Sequence, residues 1–298
     1  MASPSPPLII QPRAKHTATV IWLHGLGDTG EGWCSICRDV FRGMSWVKFV
    51  FPTAPVRPVT LNMGMPMPSW FDIHGLSEAA QQDSAGIEAS RAEVQRMLEA
   101  EVAAGINPAR IVLAGFSQGG ALALYTALRQ GRRVGGVVGC STWLVRHTEF
   151  LAGEWAVEEA NKQTPVLLCH GEADPLVRMA FGKRTAAGLQ GTGQPVTFKT
   201  YAGMGHSSCP EEMADVAAFL ETCLPTSLSR GSSSGNLAKS LPTPKSDEEI
   251  RELGVKALKL YLSSFGIDHS ACVEKHEMVT LALATVAPAA AAGEASDG

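Results

Sequence analysis

The chain has 298 residues, 45% of them apolar and 18% charged, with a formal net charge of −4. That length admits one large α/β domain with a small companion, or two modest domains, and the composition is that of a soluble globular protein with ample core. The acidic balance supplies no basic footprint for nucleic acid, so no nucleic-acid partner is expected.

The chain starts Met1-Ala2-Ser3-Pro4-Ser5-Pro6-Pro7, without the basic and apolar regions of a secretory leader. No apolar stretch reaches the ~20 residues that span a bilayer. Ala2 stands where myristoylation needs glycine. Seven cysteines, an odd number without framework spacing, suit a reducing compartment. The expected address is cytoplasmic, with residues 1–16 as a flexible arm.

From about residue 18 to 224, apolar strand-like runs alternate with helical patterns. Ala18–Leu23, Trp46–Phe51, Arg110–Ala114, Val134–Cys140, Pro165–Cys169 and Val196–Tyr201 read as strands. Ser77–Ala104, Arg178–Leu189 and Glu211–Leu224 show helical spacing. Continuous apolar strands between helices predict an α/β fold with a mostly parallel, doubly wound sheet covered on both faces. Cys34-Ser35-Ile36-Cys37 has no second C-x-x-C to complete a metal site, so it reads as helix and no metal is expected. Residues 53–76 form a long irregular stretch rich in proline, methionine and aromatics. A loop of that length inside a compact domain is functional or disordered, and its apolar content favours the wall of a binding site.

Gly115-Phe116-Ser117-Gln118-Gly119 lies between a strand and the apolar helical run Ala121–Leu128. Strand, G-x-S-x-G and helix in that order form a nucleophile elbow, with Ser117 lifted clear of the sheet at the positive end of a helix. The serine needs a base, and the base needs an orienting acid, in the order serine, acid, histidine. After Pro165–Cys169 come Glu172 and Asp174, and Asp174, farther beyond the strand end, is the favoured acid. Asp174 precedes a proline and also suits a helix cap. Among eight histidines, His206 is the one in triad order and in a glycine-flanked loop after the last strand. The backbone N–H groups of Gln118 and of Leu26, in the glycine-rich loop His24–Gly30, are the candidate oxyanion donors. Gly25, Gly27 and Gly30 also match a dinucleotide fingerprint, but no acidic residue ends the next strand, which runs into Pro52-Thr53-Ala54-Pro55.

These segments, with Ala54–Met63, Pro68-Ser69-Trp70-Phe71-Asp72 and Met204-Gly205-His206-Ser207-Ser208-Cys209, resemble the signatures of the acyl-protein thioesterase and lysophospholipase family of α/β-hydrolases over residues 17–225. The resemblance implies an α/β-hydrolase fold, a triad of Ser117, Asp174 and His206, and no cofactor. It implies S-acylated proteins or lysophospholipids as substrates, with peripheral membrane contact. It maps an acyl-binding tunnel onto Leu61, Met63, Trp70, Leu76, Trp143 and Leu176. Val145–Gln163 departs from the family pattern, which leaves tunnel shape and chain-length preference open. Ala2 and Ser3 replace an N-terminal cysteine that some members acylate.

At residue 225 the composition turns to serine, proline and glycine, a flexible linker over 226–246 whose ends lie about 25 Å apart. Residues 247–285 then read as a small helix–loop–helix module. Asp247–Phe265 is one helix between the cap Ser246 and the stop Gly266, and a second runs from Val273 to Thr285. The module loosely resembles SAP-like units through Gly266-Ile267-Asp268-His269 and Cys272-Val273-Glu274-Lys275. Seven acidic against four basic residues oppose DNA binding and favour a protein partner. Residues 286–298 form an alanine-rich tail expected to be disordered.

Overall fold

The computed structural model describes residues 6–77, 80–226, 247–264, 267 and 275–286. The expected linker beyond residue 226, Ser246, Gly266, the loop 268–272 and the tail from 287 lie outside the described residues. The chain divides into two compact units, Met1–Ser227 and Leu228–Gly298.

The first unit is built on a seven-stranded sheet of order β1-β3-β2-β6-β7-β8-β9. Its strands are β1 (Leu8–Ile10), β2 (Ala18–Leu23), β3 (Val47–Phe51), β6 (Ile111–Phe116), β7 (Gly136–Cys140), β8 (Val166–Gly171) and β9 (Val196–Tyr201). All neighbours pair in parallel except β1, which runs antiparallel to β3. Every residue of β2, β6, β7 and β8 is buried. That is why their sequences are continuous apolar runs rather than alternating ones. Helices α1 (Gly30–Val40), α2 (Ser84–Ala103), α3 (Gln118–Leu128), α4 (His147–Leu151), α5 (Met179–Gln190) and α6 (Pro210–Cys223) connect the strands. All of α3 is buried, as its Ala/Leu composition requires. Helix α2 starts seven residues later than its periodicity suggested, where the Asp83 side chain caps the Gly86 N–H at 2.9 Å.

Two expectations change. Part of the arm expected to be flexible is a strand, because Leu8, Ile9 and Ile10 pair with Phe51, Val50 and Phe49. Three apolar residues between prolines are too short a run to declare a strand, and prolines suit the edge position. The stretch 53–76 is not irregular throughout. It folds into a two-stranded hairpin, β4 (Val56–Val59) with β5 (Met65–Pro68), closed by a 3₁₀ turn at Thr60–Asn62. Pro58 faces Pro66 in that ribbon, where each strand has an outer edge that needs no donor.

In the second unit, the single helix expected over Asp247–Phe265 is two helices among the described residues. These are α7 (Asp247–Glu252) and α8 (Val255–Ser264), followed by α9 (Lys275–Val286). The break falls at Leu253-Gly254, where the Leu253 N–H donates back to Ile250 and Gly254 accepts from Leu258 to open α8. Glycine is a poor helix former, and here it allows the chain to turn. Ile250, Leu258, Tyr261, Leu262, Met278 and Ala282 form this unit's own core.

Candidate active site

Strand β6 ends at Phe116 and α3 begins at Gln118, so Ser117 alone makes the turn, with φ 52° and ψ −121°. This backbone costs a non-glycine residue about 1–3 kcal/mol and persists only where its surroundings impose it. Here the Ser117 N–H donates to the Cys140 carbonyl at 2.8 Å, and the Ser117 carbonyl accepts from Thr142 Oγ1 at 2.7 Å and from the Ala121 N–H at 3.0 Å. The flanking glycines make room. A Cβ on Gly115 would sit 2.5 Å from the Gly119 carbonyl carbon, and one on Gly119 would collide with the Leu23 and His24 carbonyls.

The loop after β8 brings Asp174 to this turn. Its carboxylate is fully buried, and Oδ1 accepts from the Leu176 and Val177 N–H groups, each at 2.9 Å. The loop after β9 supplies His206. Its Nδ1 lies 2.7 Å from Asp174 Oδ2, and its Nε2 lies 3.0 Å from Ser117 Oγ. An acidic acceptor at Nδ1 fixes the tautomer with the proton on Nδ1, which leaves Nε2 to accept from the serine hydroxyl. The imidazole packs against Phe116, with ring centroids 4.8 Å apart. Glu172 points elsewhere, accepting from Thr200 Oγ1 at 2.8 Å. The three groups thus form a serine–imidazole–carboxylate relay able to transfer an acyl group.

The loop from His24 to Gly30 packs on the turn. A Cβ on Gly25 would meet Phe116 at 3.1 Å and the Ser117 Cβ at 3.4 Å. The Leu26 and Gln118 N–H groups donate to no backbone carbonyl among the described residues, which leaves both for an oxyanion. His24 anchors this loop. The Ala54 N–H donates to its Nε2 at 2.9 Å, so the proton resides on Nδ1 and is donated to the Gly25 carbonyl at 2.6 Å.

Sequence reasoning passed over His170 as an ordinary half-buried histidine. Its Nε2–H donates to the Val177 carbonyl at 2.7 Å and lies 3.8 Å from Asp174 Oδ2. It thereby braces the loop that holds the acid. Burial pushes its pKa down, so it stays a neutral donor. The place to look was the last residues of β8, where His170 precedes the acid by four positions.

A cavity of mixed lining is walled on one side by Phe71, Leu76, Trp143, Leu176, Val177 and Phe181 and on the other by polar groups that include Asp72, His74, Asp83, His147 and Arg184. Val177 also holds Asp174, so cavity and relay share a wall. Of the six residues expected to bind the acyl chain, Leu76, Trp143 and Leu176 line this cavity and three do not. Leu61 is exposed beside the hairpin turn, and Met63, 88% exposed, occupies a left-handed position with φ 54°. Trp70 is buried in the core, with Nε1–H donating to the His24 carbonyl at 2.9 Å. Its indole supports the oxyanion loop rather than facing the cavity.

Cys34 and Cys37 lie in α1, as expected, and both are buried and free. Cys140, Cys169 and Glu212 bring three metal-type side chains together, all buried. Burial pushes the Glu212 carboxyl toward its neutral form, and the hydrogen bond with Cys169, together with burial, does the same for the Cys140 thiol. The trio fits a neutral packed cluster better than a charged ligand set.

The sequence profile of the phospholipase/carboxylesterase family matches residues 5–224. The chain belongs to that family. The family's α/β-hydrolase fold accounts for the strand order and for the serine turn at the end of β6. Acyl-protein thioesterase 1 of Gibberella zeae is 46% identical over 226 residues, covering 74% of this chain and 96% of that one. Acyl-protein thioesterase 1 of Neurospora crassa is 42% identical, covering 74% and 92%. The crystal structure of Zea mays acyl-protein thioesterase 2 superposes with a TM-score of 0.66 at 36% identity, covering 73% of this chain and 98% of that one. Family membership also disposes of the dinucleotide reading of Gly25, Gly27 and Gly30. Residues beyond 224 lie outside the family match.

Proposed function

We propose that the protein removes long-chain fatty acyl groups from S-acylated cysteines of other proteins, through an acyl-enzyme on Ser117. The observation that carries this reading is the continuous relay Ser117–His206–Asp174, whose acid is held by the N–H groups of Leu176 and Val177, two apolar residues that also line a cavity. Ser117 Oγ attacks the thioester carbonyl while His206 Nε2 takes its proton. Asp174 holds the imidazole tautomer and stabilises the imidazolium. The Leu26 and Gln118 N–H groups receive the oxyanion, His206 returns the proton to the departing thiolate, and water then clears the acyl-enzyme by the same steps. Relatives that carry the name acyl-protein thioesterase over nearly their whole length support the substrate class.

Leu76, Trp143 and Leu176 would receive the acyl chain. Because a lysophospholipid offers the same chain, lysophospholipase or simple carboxylesterase activity is the second reading. Peripheral contact with a lipid surface belongs to the proposal, supported by exposed Val56, Met63 and Met65 on the hairpin. So does a cytoplasmic setting, supported by free cysteines that are mostly buried. No helix among the described residues is long and apolar enough to cross a membrane.

The test is kcat/KM measured side by side on an S-palmitoylated peptide and on a palmitoyl lysophospholipid. A higher value on the peptide is expected. A clear preference for the lysophospholipid would move the protein to the second reading.

A further inference from the structure

The Gln118 side chain is engaged as fully as its backbone is left open. It is wholly buried, although it begins a helix at the reactive end of the sheet. Its Oε1 accepts from the Trp70 N–H at 3.0 Å, and its Nε2 donates to the Phe71 carbonyl at 2.7 Å and to Ser69 Oγ at 3.0 Å. Ser69 Oγ in turn donates to the Phe71 carbonyl at 2.6 Å. One amide thus grips three consecutive residues of another segment, with both its donor and its acceptor ends used.

That segment leads to the other side of the oxyanion site. The Trp70 indole N–H donates to the His24 carbonyl at 2.9 Å, and the adjacent Pro68 carbonyl accepts from the Gly27 N–H at 2.9 Å. Leu26 sits between those two tethered residues. A path of hydrogen bonds therefore runs from the Gln118 amide through Trp70 to the loop that carries Leu26. On its other side the same segment continues to Phe71, which walls the cavity.

We propose that the Gln118 side chain is a positioning residue that sets the spacing of the two oxyanion donors, its own N–H and that of Leu26. The inference rests on the reading of Ser117 as nucleophile and of these two N–H groups as its oxyanion hole. An oxyanion forms only as the carbonyl is attacked, so a loosened donor pair raises the barrier and leaves substrate binding almost untouched. Gln118 is buried and two of its partners are backbone groups, so a change there also orphans the Trp70 N–H and takes one of two donors from the Phe71 carbonyl. For that reason the test must separate spacing from general damage.

The experiment uses the full chain and the substitution Gln118→Met, which keeps length and bulk but removes every hydrogen bond. The expected result is a kcat about 10–100-fold lower with KM changed less than about threefold, since misplacement of about 1 Å costs up to that range. Binding of a long-chain trifluoromethyl ketone, whose hemiketal oxyanion mimics the transition state, weakens by the same factor as kcat/KM. Trp70→Phe, which removes the indole N–H farther along the path, gives the same signature if Gln118→Met does not fold. Where both single variants fold, the double substitution costs less than the two effects combined, as for residues acting as one unit. A folded Gln118→Met protein with wild-type kcat overturns the proposal, as does a loss of activity with ketone affinity unchanged. Failure of the underlying reading looks different. In that case the ketone does not inhibit the wild-type protein, and Ser117→Ala retains activity.

Discussion

Ser117 holds its strained conformation because glycines stand two residues away on each side and its own carbonyl and N–H are tied down by three hydrogen bonds. The cost of disturbing that arrangement is accordingly steep. Gly119→Ala would drive a methyl group into the Leu23 and His24 carbonyls, at a cost of about 1–3 kcal/mol of strain or backbone displacement. Thermal unfolding and ester hydrolysis are expected to show a lower melting temperature and a large loss of activity together. Asp174→Asn separates the two. An amide oxygen still accepts from Leu176 and Val177, so the loop holds, but the imidazole tautomer is no longer fixed. Activity is expected to fall about 10⁴-fold with little change in melting temperature. A loss of less than about tenfold would remove Asp174 from the relay. Ser117, Asp174 and His206 were legible in the sequence because each follows a strand in a fixed order, with glycines two positions either side of Ser117, Pro175 after Asp174 and Gly205 before His206. His170 and the Gln118 side chain were not. Most of their partners are backbone groups, of Val177, Trp70 and Phe71, and no residue type encodes a backbone group that happens to arrive.

At the scale of elements, α6 carries the clearest electrostatic consequence. Its first-turn Glu212 is fully buried against Cys140 and Cys169, and burial raises its carboxyl well above the ordinary value of 4.5. The folded protein therefore keeps a proton that the unfolded chain releases. Stability falls as pH rises above the ordinary carboxylate range, and continues to fall until the folded group itself ionises. Glu212→Gln removes that titration. Between about pH 5 and about pH 8 its melting temperature is expected to decline less than that of the wild type. Parallel declines would show that Glu212 is charged in the fold. The central strands were readable from sequence because burial on both faces makes them uniformly apolar. The hairpin 56–68 was not, since prolines mask a ribbon whose outer edges need no donors. Strand β1 was too short to read. The break between α7 and α8 rests on Gly254, which sits inside a helical periodicity that continues across it.

At the scale of the whole molecule, two units each have a core of their own, and the family match ends with the first. Related thioesterases are covered almost completely by that first unit, so the relay, the oxyanion loop and the cavity all fall within a length that those relatives share. A protein shortened to residues 1–225 is predicted to hydrolyse a soluble short-chain ester with kcat/KM within about twofold of the full chain. A collapse of activity with loss of folding would make the second unit part of the hydrolase architecture. We propose that residues 247–285 instead engage a protein partner. The three-helix pattern was only half visible beforehand, because the spacing of Ile250, Leu258 and Tyr261 marks an apolar face without marking where one helix stops.

The central claim is that Ser117 takes the acyl group. It is tested most directly by rapid quenching of the protein with an S-palmitoylated peptide, followed by mass spectrometry of the intact chain and its fragments. The wild type is predicted to show a palmitoyl adduct on the peptide containing Ser117, and Ser117→Ala neither an adduct nor turnover above about 10⁻⁴ of the wild type. An adduct on another residue, or palmitate release by Ser117→Ala at a rate near that of the wild type, would contradict it.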